Sequence, residues 1–347
     1  MYIKRILVAV LLIGLVGCSV FAYMVYGVFF VNNTNFNNDA AYVFVKSTDK
    51  FNDVKQQVAP LLKDVEDFEA AAKRKGYISN VKAGKFEIKK GMNNNEIINS
   101  LRGRNIPVKV SFNNQETLED LAGRVATQIE ADSLSLIQAF NEPQFLKENN
   151  FTHANKLAMY IPNSYEFYWN SSAETFRSKM LTEYKRFWNE DRKAKAKSLG
   201  LTENEVVALA SIVHKETAKV DERPRVAGVY LNRLRKGMLL QADPTVIYAL
   251  KLHQNNFKQI IKRVLYKDLK LDSPYNTYMY AGLPPGPIAM PDISAVNAVL
   301  NSEKHDYYYF VANVENFGYH KFAKTLSQHN RNKEQYIRWI NKQNINR

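Results

Sequence analysis

One glutamate at the edge of an apolar helix is the residue in this sequence best suited to chemistry. Residues 206–217 repeat apolar side chains on one face with helical spacing, at about 100° per residue. Thr202 followed by Glu205 forms a capping box, which predicts that the helix begins there. On this helix Glu216 projects about 80° from the centre of the apolar face, and we therefore predict that its carboxyl lies at an apolar margin.

A carboxyl in that position loses part of its contact with water. Because burial disfavours the charged form, the pKa of Glu216 should rise, so that the acid stays protonated near neutral pH. Such a group can protonate a leaving group as a general acid. The alternative is a solvated glutamate paired with Lys219, three residues further along the helix.

Several separated blocks around and after this helix resemble the YceG-like family, the membrane-anchored endolytic murein transglycosylases of the MltG type. The blocks occur in the family's order over about 120 residues. They are 210–217 (ASIVHKET), 225–235, 240–248 (LQADPTVIY), 275–278 (YNTY), 282–288 (GLPPGPI), 309–312 (YFVA) and 327–330 (SQHN).

The resemblance implies a reaction and assigns residues to it. Glu216 matches the family's catalytic position, and Asn276 and Thr277 are expected to face the substrate groove. The implied reaction cleaves the β-1,4 bond between N-acetylmuramic acid and N-acetylglucosamine without water, leaving a 1,6-anhydro end. The enzyme would act inside nascent peptidoglycan strands and so terminate glycan elongation.

Gln241 and Asp243 are two further candidates for substrate binding. They stand at the boundary of a predicted helix, where their polar groups could bind sugar hydroxyl and acetamido groups. Asp243 before Pro244 also has the pattern of an N-cap, so Asp243 could do no more than cap that helix. Two alternatives for the whole protein stay open: a lysozyme-like hydrolase that uses Glu216 with Asp243, or a non-catalytic wall-binding protein.

No cofactor and no metal site are expected. Cys18 is the single cysteine, which excludes a multi-cysteine zinc site, and the sequence contains no H-E-x-x-H, P-loop or dinucleotide-binding motif. His214 stands where many family members carry a glutamate, and we expect it to tune the site. His320 and His329 are potential site residues for which a structural hydrogen bond is the default expectation.

The N-terminus predicts a membrane anchor. Residues 6–31 contain no charged side chain and are long enough to cross a bilayer, and Lys4 and Arg5 before them favour a cytoplasmic N-terminus. The alternatives are a cleaved signal peptide or lipidation of Cys18 in a lipobox-like Leu15–Cys18 stretch. In each case the rest of the chain is expected outside the cytoplasm.

The chain has 48 basic and 34 acidic residues, and its net charge of +14 favours a polyanionic partner. Outside the cytoplasm this is expected to be peptidoglycan, whose stem peptides carry carboxylates, and not nucleic acid. A peptidoglycan synthase is a possible further partner.

We predict an α+β fold: a single transmembrane helix, a small LysM-like α+β module and a mixed α/β catalytic domain. The expected divisions are a cytoplasmic tail (1–5), the anchor (6–31), a linker with the LysM-like module (32–105), an intermediate helical and aromatic region (106–198) and the catalytic domain (199–347).

Local patterns predict three further elements. Residues 53–75 should form a helix, or paired helices with a break near Pro60, and residues 174–196 should form one long helix. Residues 306–312 should form a strand, with a turn at 316–318 and a partner strand at 319–323.

Overall fold

A computed structural model describes residues 2–342 as a mixed α+β protein of two compact units. The first unit comprises residues 1–110, 128–131 and 165–172, and the second comprises residues 111–127, 132–164 and 173–347. Met1 of the expected cytoplasmic tail and residues 343–347 of the expected catalytic domain lie outside the described residues.

The first helix is long and apolar. Helix α1 (Tyr2–Phe30, 29 residues) is apolar enough to cross a membrane by length and composition. Its side chains are exposed along most of its length, but Val28 and Phe29 at its end pack against the core of the first unit. The side-chain amide of Asn94 also donates a 2.8 Å hydrogen bond to the Val28 carbonyl, so the end of α1 is fixed to this unit.

Residues 40–102 of the first unit form a strand–helix–helix–strand–helix module. Its elements are β1 (Ala40–Val45), α2 (Phe51–Val58), α3 (Val65–Arg74), β2 (Gly84–Lys89) and α4 (Asn94–Arg102), with a 3-10 turn at Ala59–Leu61. The strands pair antiparallel in the register Ala40↔Lys89 to Val45↔Gly84. The predicted break near Pro60 is confirmed, because that 3-10 turn separates α2 from α3.

The second unit is mainly helical. Before its central helices it contains α5 (Leu118–Ala126), α6 (Ser133–Phe140), α7 (Pro143–Glu148), α8 (Ala173–Phe187) and α9 (Glu190–Ser198). Strands β3 (Pro107–Phe112) and β4 (Asn163–Tyr168) form a two-stranded sheet, most of whose residues belong to the first unit.

The central helices of the second unit are α10 (Glu203–Glu216), α11 (Arg223–Arg235), α12 (Asp243–His253) and α13 (Ile293–Leu300). Helix α10 begins at the predicted capping box: Thr202 Oγ1 accepts from Glu205 N–H, and the Glu205 carboxylate accepts from Thr202 N–H. All eight residues from Val206 to Val213 are buried, since α11, α12 and α13 all pack against α10. The predicted single apolar face is therefore wrong: α10 is enclosed on all sides, and Glu216 lies at its end.

The last elements within residues 2–342 are a hairpin and a helix. Strands β5 (Tyr309–Ala312) and β6 (His320–Ala323) pair antiparallel, which confirms the predicted hairpin with a shorter first strand. Helix α14 (Leu326–Lys342) packs against both strands.

The predicted long helix over 174–196 is wrong. Two helices, α8 and α9, occupy that stretch, and the chain turns between them at Trp188 and Asn189. The Asn189 side chain accepts a hydrogen bond from Arg192 N–H and so starts a new helix, while Trp188 is buried. Charge periodicity continues across this break, which is why it did not reveal the turn.

Gly286, in the 282–288 stretch, packs closely against the backbone of Ala154. A Cβ at this position would lie 1.8 Å from the Ala154 carbonyl oxygen, so Gly286→Ala should destabilise the second unit by about 1–3 kcal/mol. Thermal unfolding followed by circular dichroism measures this. The matched control is Gly123→Ala, whose Cβ meets open space on α5 and which should stabilise that helix by about 0.5–1 kcal/mol. Equal melting temperatures for both variants would contradict the packing described here.

Candidate active site

Glu216 lies in a pocket of about 250 Å³ in the second unit. It is the last residue of α10, and the chain leaves the helix at Thr217 in an extended conformation. The pocket is built by α10, α11, the start of α12, the hairpin and α14. Its lining residues are Glu216, Tyr230, Arg233, Leu240, Gln241, Asp243, Tyr278, Phe310 and His329.

The environment of Glu216 favours its protonated form. Burial is the main cause, and the nearby Asp243 carboxylate adds to it; together they raise the pKa of Glu216 to about 7, although Tyr230, His320 and Arg233 act in the opposite direction. Tyr230 on α11 donates a 2.6 Å hydrogen bond to Glu216 Oε1. Lys219 instead lies over the ring of Tyr319, 4.9 Å from its centre, so the solvated Glu216–Lys219 pair is not formed.

Asp243 lines the same pocket but does not cap α12. The helix begins at Asp243 with Ala242 as its N-cap residue, and no side chain makes a capping hydrogen bond. The N-cap prediction for Asp243 is therefore wrong by one position. The Asp243 carboxylate accepts a 2.5 Å hydrogen bond from Tyr278 Oη, which directs it towards the pocket wall.

Gln241 is held in an unusual backbone conformation. Its φ is +51°, in the left-handed region that residues other than glycine seldom adopt. The Gln241 N–H donates a 3.0 Å hydrogen bond to the Thr277 carbonyl. The Gln241 side chain is exposed at the pocket, so this backbone strain is located at the candidate site.

Asn276 and Thr277 do not line the pocket. Both are buried, with relative exposures of 0% and 1%. The Asn276 amide donates to the carbonyls of Leu269 and Leu271, and Thr277 Oγ1 accepts from Ala242 N–H at 3.0 Å. Their side chains are turned inward because they satisfy backbone groups of the loop, and the structure does not place them facing a groove.

Five lining residues were not predicted as site residues: Tyr230, Arg233, Leu240, Tyr278 and Phe310. Tyr278 ends the Tyr-Asn-Thr-Tyr block, which was a usable signal. Arg233 is buried and donates to the carbonyls of Tyr308 and Leu240, which connects α11 to the hairpin. Tyr230 and Phe310 meet edge to face with their ring centres 5.8 Å apart, a contact that no local pattern indicates.

The three candidate histidines have different surroundings. His214 Nδ1 lies 3.2 Å from an Asp292 carboxylate oxygen, outside the pocket lining. His320 Nδ1 is 2.8 Å from Glu222 Oε2, so its ring is held by a buried carboxylate. His329 lines the pocket and stacks on Tyr309, and its buried Nδ1 has no hydrogen-bond partner among residues 2–342. Within the same residues, no group of three or more His, Cys, Asp or Glu side chains is placed to hold a metal ion.

Comparison with known proteins identifies relatives of the chain. The model of the YceG-like family matches residues 43–335. An endolytic murein transglycosylase of Bacillus subtilis is 40% identical over 168 residues, covering 48% of this chain and 40% of the relative. One from Streptococcus pneumoniae is 39% identical over 142 residues, covering 41% of this chain and 25% of the relative. The chain thus matches less than half the length of these curated relatives.

A solved structure agrees with the fold. The crystal structure of a yceG-like protein from Listeria monocytogenes superposes with a TM-score of 0.55 at 28% identity. The superposition covers 85% of this chain and 99% of the other.

The burial of Glu216 predicts a pH-dependent stability. The unfolded chain releases this proton near pH 4.5 and the folded protein near 7, so folding stability is lost as pH rises between these values, by about 3 kcal/mol. Glu216→Gln removes that loss, and its melting temperature should exceed that of the unaltered protein by about 5 °C or more at pH 8, with a smaller difference at pH 5. Glu190→Gln, on a side chain 93% exposed, serves as the control. A Glu216→Gln protein that melts lower at pH 8 than at pH 5, in parallel with the unaltered protein, would refute the assignment.

Proposed function

Because this chain belongs to the YceG-like family, we propose that it is an endolytic lytic transglycosylase of peptidoglycan. It cleaves the β-1,4 bond between N-acetylmuramic acid and N-acetylglucosamine inside nascent glycan strands and leaves 1,6-anhydro ends, which terminates elongation. The observation that carries this proposal is the Glu216 carboxyl, whose pKa burial raises to about 7 in a pocket of mostly polar side chains.

In the first step Glu216 acts as the general acid. Its proton passes to the glycosidic oxygen as the bond from that oxygen to C1 of the muramoyl residue breaks, and the N-acetylglucosamine portion leaves as an alcohol. A pKa of about 7 suits this task, since an acid is most effective when its pKa is close to the working pH.

In the second step the Glu216 carboxylate acts as the base. It removes the proton from the C6 hydroxyl of the muramoyl residue, and the C6 oxygen bonds to C1. No water is consumed, and Glu216 returns to its protonated form. The Tyr230 hydroxyl supports this exchange because its 2.6 Å hydrogen bond holds Glu216 Oε1 and stabilises the intermediate carboxylate.

We assign substrate contacts to Gln241 and Asp243, whose side chains line the pocket beside Glu216. Asp243 also favours the proton on Glu216 by its negative charge. Asn276 and Thr277 act indirectly in this proposal: their buried hydrogen bonds fix the loop that carries Tyr278 and the backbone at Gln241.

A lysozyme-like hydrolase remains the second candidate, because the pocket contains a second carboxylate, Asp243. In a hydrolase a second carboxylate serves as nucleophile or as base for water. In a hydrolase of this kind Asp243 would have to fill one of these two roles while it accepts a hydrogen bond from Tyr278. The products separate the two reactions, since anhydro-muropeptides are lighter than reducing-end muropeptides by one water. A wall-binding protein without activity would yield neither.

The proposal places the protein in the cell membrane as a single-pass protein. Helix α1 provides the anchor, with the catalytic part on the extracytoplasmic side, where a peptidoglycan synthase could work beside it. We retain 6–31 as the anchor, 32–105 as the linker and LysM-like module, and 199–347 as the catalytic domain.

The exposed aromatic side chains of the first unit support glycan binding by the LysM-like module. Tyr42 and Phe44 are 49% and 38% exposed on the outer face of β1. The Lys85 ammonium lies 4.2 Å from the centre of the Tyr42 ring, and Trp169 meets Phe44 edge to face. Aromatic surfaces of this kind can stack on sugar rings.

Glu216→Gln tests the reaction. The amide cannot donate a proton to the glycosidic oxygen, so release of anhydro-muropeptides should fall by at least about 100-fold. Mass spectrometry of digested peptidoglycan measures both anhydro and reducing ends. Unchanged release by the variant would refute the role of Glu216, and reducing ends released by the unaltered protein would identify a hydrolase. Asp243→Asn is the companion variant, which should abolish hydrolysis but only weaken transglycosylation.

Tyr230→Phe tests the control of the acid. Because the Tyr230 hydrogen bond lowers the pKa of Glu216, its loss should raise that pKa, and the alkaline fall of kcat/KM, expected near pH 7, should move up by about one pH unit. Rates between pH 5 and 9 measure the shift. Tyr280→Phe removes a hydroxyl bonded to Asp272 outside the pocket and should leave the profile unchanged. A Tyr230→Phe profile displaced to lower pH would contradict the proposal.

A further inference from the structure

A second cleft adjoins the Glu216 pocket. It measures about 550 Å³ and shares Asp243 and Tyr278 with that pocket, so the hydrogen-bonded pair of these residues forms a common wall. The other side is formed by Lys262, Arg263 and Tyr266, from the irregular segment after α12, and by Lys333 and Tyr336 on α14. We call this the basic cleft.

The positive charge of the basic cleft is not neutralised by neighbours. Among residues 2–342, Lys262, Arg263 and Lys333 have no acidic group within 4.0 Å. Asp243 is the one carboxylate among the described residues that line the cleft, and it already accepts a hydrogen bond from the Tyr278 hydroxyl. The charge of Lys333 also acts at the Glu216 pocket. Burial lowers the pKa of His329, which lines that pocket, and the positive charge of Lys333 lowers it further.

Another cleft, beside α12, provides a contrast. It is lined by Lys215, Lys251 and Glu116, and Glu116 forms ion pairs of 2.6 Å with both lysines. Its cations are therefore partly satisfied within the protein. In the basic cleft the cations are exposed and available, which is the state expected of a site for an anion from outside.

The proposed substrate carries its negative charge in one place. The sugars are neutral, and the carboxylates belong to the stem peptides attached to the muramoyl residues. A muramoyl residue with its C1 at Glu216 carries its peptide beside the scissile bond, within reach of an adjoining cleft.

We propose that the basic cleft is a carboxylate-binding subsite for the stem peptide, which makes the protein prefer strands that retain their peptides to stripped strands. This inference rests on the proposed function. Lys262, Arg263 and Lys333 supply the charge, and Tyr266 and Tyr336 provide walls for the apolar part of the peptide.

The test compares two substrates that differ at the muramoyl lactyl group. Full-length protein is given glycan strands with stem peptides, or the same strands after an amidase has hydrolysed the amide that joins each peptide to its muramoyl residue. The stripped strands carry one lactyl carboxylate in place of each peptide, and anhydro-end release gives kcat and KM. The unaltered protein should prefer peptide-bearing strands, less so at high salt. In the triple variant Lys262→Gln, Arg263→Gln, Lys333→Gln, the KM for peptide-bearing strands should rise about tenfold or more, with stripped strands cleaved within about twofold of the unaltered rate.

The control removes the same charge elsewhere. Lys197→Gln, Lys236→Gln and Lys304→Gln together change three exposed lysines that line neither the pocket nor the basic cleft, and the preference should persist. If the cleft variant keeps the preference, or loses activity equally on both substrates, the inference is wrong while the proposed function stands. If the unaltered protein releases no anhydro ends from either substrate, the proposed function fails and this inference with it.

Discussion

The hydrogen bond from Tyr230 to Glu216 is the interaction on which the candidate site depends. Burial deprives the Glu216 carboxyl of water and disfavours its charge, whereas the tyrosine hydroxyl offers that charge one strong partner. The balance puts the pKa of Glu216 near 7, where both protonation states are accessible. An acid that must give up a proton and recover one in the same cycle needs this balance. If the Glu216 carboxyl were fully exposed to water, it would already be ionised at neutral pH. If it were buried without the Tyr230 hydrogen bond, it would hold its proton too firmly.

The position of the carboxyl is fixed through the next residue, Thr217. Arg223 is buried, donates from Nε to the Thr217 carbonyl at 3.3 Å and forms an ion pair with Asp292. On the other side, Glu222 accepts from Thr217 Oγ1 at 3.2 Å and from His320. Each buried charge has an opposite or hydrogen-bonding partner, and removing one partner would leave the other uncompensated. The two networks thus hold the end of α10 by its backbone and its side chain, and Glu216 has little freedom to move.

Local sequence patterns predicted where several helices and strands begin and end, but not how these elements pack against one another. The Thr202–Glu205 capping box marked the start of α10, and Pro60 marked the break between two helices, because both act through neighbouring backbone groups. The strand pair at the end of the chain followed from its aromatic run and its turn. By contrast, nothing in the periodicity of α11 distinguished Tyr230, since its role arises only where α11 crosses the end of α10. The enclosure of α10 on all sides likewise depends on how α11, α12 and α13 pack against it, which the sequence of α10 does not indicate.

The Tyr-Asn-Thr-Tyr block shows why a family motif identifies a site more reliably than it identifies the atoms that touch a ligand. Asn276 and Thr277 are buried, and their polar groups satisfy the backbone on both sides of the loop. Those bonds sustain the left-handed backbone at Gln241, which would otherwise relax, and they place Tyr278 where its hydroxyl reaches Asp243. The block therefore shapes the pocket mainly through its backbone and its last side chain. Buried hydrogen bonds to the backbone can restrict the residue type at a position as strictly as contact with the substrate does.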